Sequence, residues 1–176
     1  MDSYALLIAA TLNAGTVLAI ASLGLLINEK AGIVNLGAEG MMLCAAIAGF
    51  AAVVHTGSDM AGFAAGMAAG AVMAAIFGVL VIWLNTSQYA TGLALSLFGG
   101  GFSAFAGISY VQEKMPDRPS FAIPGLADIP FVGPALFRHH PMVYLTVLFA
   151  LALIWFLYRT RAGLILRSVG ESPESA

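Results

Sequence analysis

The 176 residues are 60% hydrophobic and 9% charged, with mean hydropathy +0.93 and a formal net charge of −2. A soluble domain carries about one quarter charged residues, so a soluble fold is excluded, and the slightly acidic balance argues against a nucleic-acid partner. The single cysteine, Cys44, lies in an apolar run, which excludes a disulfide framework or a cysteine-based metal cluster and makes it a small packing residue. What remains is an all-α, polytopic integral membrane protein of about five transmembrane helices.

The first predicted span is Ala5–Ile27, which contains no charge. A helix of that length rises about 34 Å, enough to cross a hydrocarbon core with some tilt. Met1-Asp2-Ser3 offers no basic region, so the run reads as a retained span rather than a cleaved signal. Asn13 and Thr16 interrupt it, either to hydrogen-bond a neighbouring helix or to face a pathway, with helix-to-helix bonding the simpler reading.

Asn28–Met42 follows, with Glu29, Lys30 and Glu39 among Gly32, Asn35, Gly37 and Gly40. Such an insert between apolar runs predicts a broken or re-entrant segment at residues 28–42. Backbone that is neither helical nor paired cannot face lipid, because its N–H and C=O groups would go unsatisfied. The second span runs to His55 and is too short if counted from Met41, so its helix begins inside the insert or part of the insert dips into the membrane.

After the polar turn His55–Asp59, the third span is Ala61–Leu84. The polar link Asn85–Gln88 leads to the fourth, Ala90–Ile108. Small residues recur every four positions on these helices: Gly40, Cys44, Ala48 and Ala52; Gly62, Gly66, Gly70, Ala74 and Gly78; Gly92, Ser96, Gly100 and Ala104. Each set predicts a ridge along which helix backbones approach closely. Gly57, in the polar turn, is expected to accept a larger side chain.

Tyr110–Pro141 holds six of the seven prolines together with charges of both signs, and reads as an irregular loop packed on the bundle. His139-His140 within it reads as a solvated pair rather than a metal site. The fifth span is Met142–Tyr158, and Arg159-Thr160-Arg161 stops it. Residues 1–176 thus read as a single transmembrane domain, with a proline-rich external loop at 110–141 and a cytoplasmic segment at 159–176. The tyrosines and tryptophans fall near span ends, as interfacial aromatics do, and Arg159, Arg161 and Arg167 place the tail in the cytoplasm. No catalytic constellation, nucleotide motif or metal cluster is evident in the sequence. Asn35, Glu39, Gln88 and Thr91 are the polar candidates for a solute pathway; an intramembrane Glu39 would be functional by default, whereas at the surface it is an interfacial charge.

Three blocks carry a family resemblance. Glu29–Met42 reads EKAGIVNLGAEGMM; Gln88–Leu95 reads QYATGLAL; and a third runs from Ile123-Pro124-Gly125-Leu126, through Ile129-Pro130 and Gly133-Pro134, to Tyr158–Pro173, YRTRAGLILRSVGESP. In this order they resemble the permease subunits of bacterial ATP-binding-cassette importers, in the branch that moves nucleosides, simple sugars such as ribose, and branched-chain amino acids. The resemblance implies a multi-pass subunit of the bacterial plasma (inner) membrane that forms the solute pathway for nucleosides or simple sugars. It implies no enzymatic activity and no cofactor in this chain, ATP being used by separate ATPase subunits on the cytoplasmic face. The other implied partners are a second permease subunit and an extracytoplasmic solute-binding protein.

The resemblance also implies a cytoplasmic coupling helix beginning near Ser172, with Arg167, Gly170, Glu171, Ser172, Pro173 and Glu174 as ATPase-coupling residues. Local chemistry agrees: Ser172 suits an N-cap, Pro173 the first helical position and Glu174 the positive end of the dipole. Gly170 is expected to permit the preceding turn. Family members continue with further membrane helices, so the chain is expected to be an N-terminal fragment. A secondary carrier or channel subunit, or a structural membrane subunit without transport, remains the alternative. The predicted topology is open to thiol labelling in cells: Ser120→Cys should react with an impermeant reagent and Ser168→Cys should not, and the reverse pattern would overturn the orientation.

Overall fold

The computed structural model describes residues 2–114, 121–122 and 138–172. Among the described residues six α-helices carry the fold: α1 Asp2–Lys30, α2 Ala38–Thr56, α3 Asp59–Gly78, α4 Gln88–Gly107, α5 Pro141–Arg159 and α6 Arg161–Glu171. A π-helical turn, Val79–Trp83, extends α3, and a 3-10 turn, Ile108–Tyr110, extends α4. Two-residue strands β1 (Phe121–Ala122) and β2 (Arg138–His139) pair antiparallel, Phe121 opposite His139. Among the described residues five helices are long and apolar enough to cross a membrane: Leu6–Lys30, Ala38–Thr56, Asp59–Trp83, Gln88–Tyr110 and Pro141–Arg159. The protein is a multi-pass, all-α membrane protein, and each predicted span lies within a few residues of an observed one. The remainder of the 110–141 loop lies outside the described residues.

The second span is long enough because its helix begins inside the polar insert, at Ala38. The break is therefore shorter than residues 28–42: α1 continues to Lys30, and only residues 31–37 leave the helix. The third span starts at Asp59, after Ser58 in extended conformation, so the carboxylate sits at the positive end of the helix dipole.

The chain divides into two compact units, Met1–Gly32 with Arg118–Ala176, and Ile33–Asp117. Within Ile33–Asp117, α2 lies between α3 and α4. Cys44, Met73, Phe77, Val81 and Leu95 form its buried core, with Ile33 and Met41 packed against them. Glycine sets the approach of the helices. A β-carbon at Gly66 would lie 3.2 Å from the Ala45 carbonyl oxygen, and one at Gly49 would lie 3.0 Å from the Gly62 oxygen. On the other side of α2, a β-carbon at Gly40 would lie 2.7 Å from Ser96 Cα.

The predicted ridges are half right. Gly62, Gly66 and Gly70 face α2, but Gly78 meets open space among the described residues. On α4 the contacting residues are Gly92, Ser96 and Gly99, whereas Gly100 meets nothing among the described residues. The strict four-residue spacing drifts around a 3.6-residue helix, so contact passes to position i+7. Gly57 closes α2 at φ +67°, its N–H bonded to Val53 O. This left-handed position is costly for other residues, so the turn does not accept a large side chain freely.

Within the other unit, α1 packs along α5 and α6. Asn13 accepts from His139 Nδ1 across 3.2 Å, which is helix-to-segment bonding, while Thr16 bonds back to Leu12 O of its own helix. His139 is not solvated: it is 1% exposed. His140 caps α5, its Nδ1 accepting from the Met142 N–H.

Gly66→Leu should lower the melting temperature in detergent through overpacking worth about 1–3 kcal/mol, and Gly100→Leu should leave it unchanged. Equal melting temperatures for Gly66→Leu and the parent would disprove close packing at the α2–α3 seam.

Candidate functional site

Ala31–Gly37 is where backbone leaves the helix between two spans. Gly32, at φ +77°, terminates α1, and its N–H bonds to Glu29 O. The next residues are satisfied by side chains from α4. The Val34 N–H donates to Gln88 Oε1 across 2.8 Å, and Ser96 Oγ donates to Leu36 O across 2.8 Å. Asn35 Oδ1 accepts from the Gly37 N–H at 2.9 Å, an Asx turn that leads into α2. The Asn35 amide reaches Met41 Sδ at 3.6 Å. Gly37 and Gly92 let the segment lie on α4, a β-carbon at Gly92 falling 3.0 Å from the Gly37 nitrogen. Because Gln88 Oε1 takes the Val34 N–H, its Nε2 carries two further donors.

A second break, Leu84–Ser87, immediately precedes α4. Asn85 adopts φ +51°, a conformation that Asn tolerates better than most residues. Thr86 Oγ1 donates to Leu80 O at 2.8 Å and lies 2.8 Å from Thr91 Oγ1. A hydroxyl has one hydrogen, and the Leu80 carbonyl can only accept, so Thr91 donates to Thr86. Ser87 caps α4, accepting from the Ala90 N–H. Both breaks therefore converge on the first three turns of α4.

Asn35, Gln88 and Thr91 are brought together in this way, each supporting backbone that is not helical. Glu39 is exposed in the first turn of α2, where the helix dipole favours a carboxylate. Ser96 and Thr86 are part of the same constellation. From sequence Ser96 read only as a ridge position; its hydroxyl, one turn from Gly92, was the available signal.

The arginine-rich tail is helical where the sequence reading expected a turn. Thr160 both ends α5 and starts α6: its Oγ1 donates to Phe156 O at 2.7 Å and accepts from the Gly163 N–H at 3.0 Å. A threonine N-cap was the sequence signal for this helix. Gly170 lies within α6 and has no positive φ. Its role is close approach, since a β-carbon there would collide with Lys30 O and lie 2.9 Å from the Gly32 nitrogen. Arg167 lies 4.8 Å from the Tyr158 ring centroid, and its buried Nε has no hydrogen-bond partner among the described residues. Glu171 is the exposed last residue of α6, and Ser172 caps its end, its N–H bonding to Ser168 O at 2.9 Å. Pro173 and Glu174 lie outside the described residues.

The family model described as "Branched-chain amino acid transport system / permease component" matches residues 7–176. The chain is 42% identical to a putative glucose ABC transporter permease protein, TsgC13, of Haloferax volcanii, over 100% of this chain and 55% of the relative. It is 33% identical to the guanosine ABC transporter permease protein NupQ of Bacillus subtilis, over 97% of this chain and 57% of the relative. Against the nucleoside ABC transporter permease protein NupC of Lactococcus lactis subsp. cremoris the identity is 27%, over 100% and 59%. The chain thus spans little more than half the length of these curated relatives. No solved structure matches it. With a family model covering nearly all of its residues and five membrane-spanning helices, the chain belongs to the branched-chain amino acid transport system permease family.

Proposed function

We propose that this chain forms part of the solute pathway of an ATP-binding-cassette importer for a simple sugar or a nucleoside. The observation that carries the reading is the unwound segment Val34–Gly37, held by Gln88 and Ser96 of α4. Non-helical backbone at membrane depth is tolerated where it is buried in protein or lines a watery cavity, and transporters build their solute sites at such discontinuities. Gln88 Nε2 supplies donors for the hydroxyls that sugars and nucleosides share. The glucose, guanosine and nucleoside permeases among the relatives support the solute class. Asn35 and Thr91 hold the walls, and Glu39 sets the charge at the α2 N-terminus.

In this reading the chain carries no catalytic step and no cofactor. Separate ATPase subunits hydrolyse ATP, a second permease subunit completes the pathway, and a solute-binding protein delivers cargo outside a bacterial plasma membrane. The ATPase docks at the end of α6 and beyond, through Glu171, Ser172, Pro173 and Glu174, with Arg167 and Gly170 positioning that end.

The test is uptake of labelled glucose and of labelled guanosine by a chain extended to the relatives' length, expressed with its ATPase and binding protein. One of the two should be taken up. Gln88→Ala should lower uptake about tenfold, since it removes the partner of the Val34 N–H, a hydrogen bond worth about 0.5–1.5 kcal/mol, together with the donors offered to solute. Gln88→Glu keeps an acceptor for Val34 but loses the donors; it should retain stability and still lose uptake. Accumulation of neither solute, with ATPase activity intact, would overturn the importer reading.

Coupling is tested by co-purification. In the same extended chain Gly170→Val should reduce recovery of the ATPase, because the added carbons displace α6 from Lys30 and Gly32. Undiminished recovery would remove α6 from the coupling surface.

A further inference from the structure

The π-helical turn Val79–Trp83 leaves a carbonyl that a regular helix would close. Its backbone bonds reach five residues back rather than four, so the Leu84 N–H donates to Val79 O at 3.1 Å. In an α-helix the same N–H would take Leu80 O. Thr86 takes it instead, with two donors: its N–H lies 3.1 Å and its Oγ1 2.8 Å from Leu80 O. A carbonyl oxygen has two lone pairs, so Leu84 can bond Leu80 O only by displacing Thr86. The two sets of donors correspond to two registers of the last turn of α3. Exchanging one for the other shifts the residues that follow by about 1.5 Å along the axis and 100° around it.

Thr86 is also held from α4. Thr91 Oγ1 donates to Thr86 Oγ1 across 2.8 Å. Thr91 is buried and lies three residues beyond Gln88, on the same side of the helix. The hydroxyl chain from Thr91 through Thr86 to Leu80 O thus ties the start of α4 to the end of α3. Ser87 bonds only forward, its Oγ and O accepting from the Ala90 and Thr91 N–H groups of α4 itself. Packing holds α4 from Thr91 onward, where Thr91, Gly92, Leu95 and Gly99 are buried. Before it Gln88 is half-buried, and Tyr89 and Ala90 are exposed. A helix end without packing stays in place only where its neighbours tie it down. Gln88 Oε1 reaches the Val34 N–H at 2.8 Å, and a displacement of 1.5 Å along that bond would carry it out of hydrogen-bonding range.

We propose that Thr86 is a positioning residue of the solute pathway. By keeping the end of α3 in its π register and the first turn of α4 against it, Thr86 fixes where Gln88 presents its Nε2 donors. This rests on the reading of Gln88 as a pathway residue. Thr86 acts through Gln88: its own hydroxyl hydrogen is given to Leu80 O, and its oxygen accepts from Thr91.

The experiment uses the chain extended to the relatives' length, together with its ATPase and binding protein. Thr86→Val keeps the shape and the backbone N–H and removes the hydroxyl. It should raise the KM for the transported solute about fivefold, the worth of one hydrogen bond, with the maximal rate little changed. Thr86→Ser should restore the parent value. On a Gln88→Ala background Thr86→Val should add no further loss, because both changes remove the same contact. Amide hydrogen exchange gives a readout without solute. The Val34 N–H should exchange about fivefold faster in Thr86→Val than in the parent, and the Gly57 N–H, bonded to Val53 O at the far end of α2, should not change. Thr86→Ala is the second variant should Thr86→Val fail to fold. Additive losses in the double variant, a Thr86→Ser variant as impaired as Thr86→Val, equal exchange at Val34, or faster exchange at Gly57 as well would each overturn the proposal. If the parent takes up neither glucose nor guanosine, the importer reading fails, and exchange at Val34 still decides whether Thr86 positions Gln88.

Discussion

A backbone amide or carbonyl that leaves a helix within a bilayer must find its partner in the protein, because lipid offers none. Much of the Ile33–Asp117 unit follows from that requirement. Val34 N–H and Leu36 O find Gln88 and Ser96, and Gly37 N–H finds Asn35. The second break uses Thr86 and Thr91 in the same way. Polar residues in this unit thus have a structural duty before any duty to solute. A substitution at Gln88 withdraws backbone support as well as a potential ligand, which is why the alanine and glutamate variants answer different questions.

These hydrogen bonds need the helices to be close, and the closeness comes from glycine. Gly92 lets the segment at Gly37 settle on α4, and Gly40 and Gly99 bring α2 and α4 together. Membrane helices lack a hydrophobic gradient to draw them together, so van der Waals contact and interhelical hydrogen bonds supply the association. Ser96 contributes to both: it is small enough for the seam and donates to Leu36 O. The exposed apolar side chains of α1, α4 and α5 are then the expected surface toward lipid rather than a defect.

The α1–α5–α6 unit uses glycine differently. Gly163 and Gly170 fasten a short helix across two span ends, and Arg167 completes the junction over Tyr158. Gly170 meets Gly32, the residue that ends α1 just before the unwound segment. The contact is backbone against backbone, with no flexible side chain between α6 and the end of α1.

Apolar length and charge were legible in the sequence because crossing a bilayer is a local demand on about twenty consecutive residues. The five spans, the polar insert, and Asn35, Gln88 and Thr91 as the residues to watch all followed from it. Pairing was not legible. That Gly99 rather than Gly100 meets Gly40 depends on how α4 is rotated against α2. That His139 is buried against Asn13 depends on α1 and α5 lying side by side over a sequence separation of 126 residues. Gly170 read as a turn residue because a turn is the local reason for glycine; its actual reason, the Lys30 carbonyl, is supplied by a helix far away in the chain. Which segments enter the membrane and where helical backbone breaks could be read from the residues in order, since hydropathy and helix propensity are local. Which side chains satisfy each break, and which glycines are pressed against a neighbour, emerge only on folding, because they depend on helix rotation and contact between distant segments.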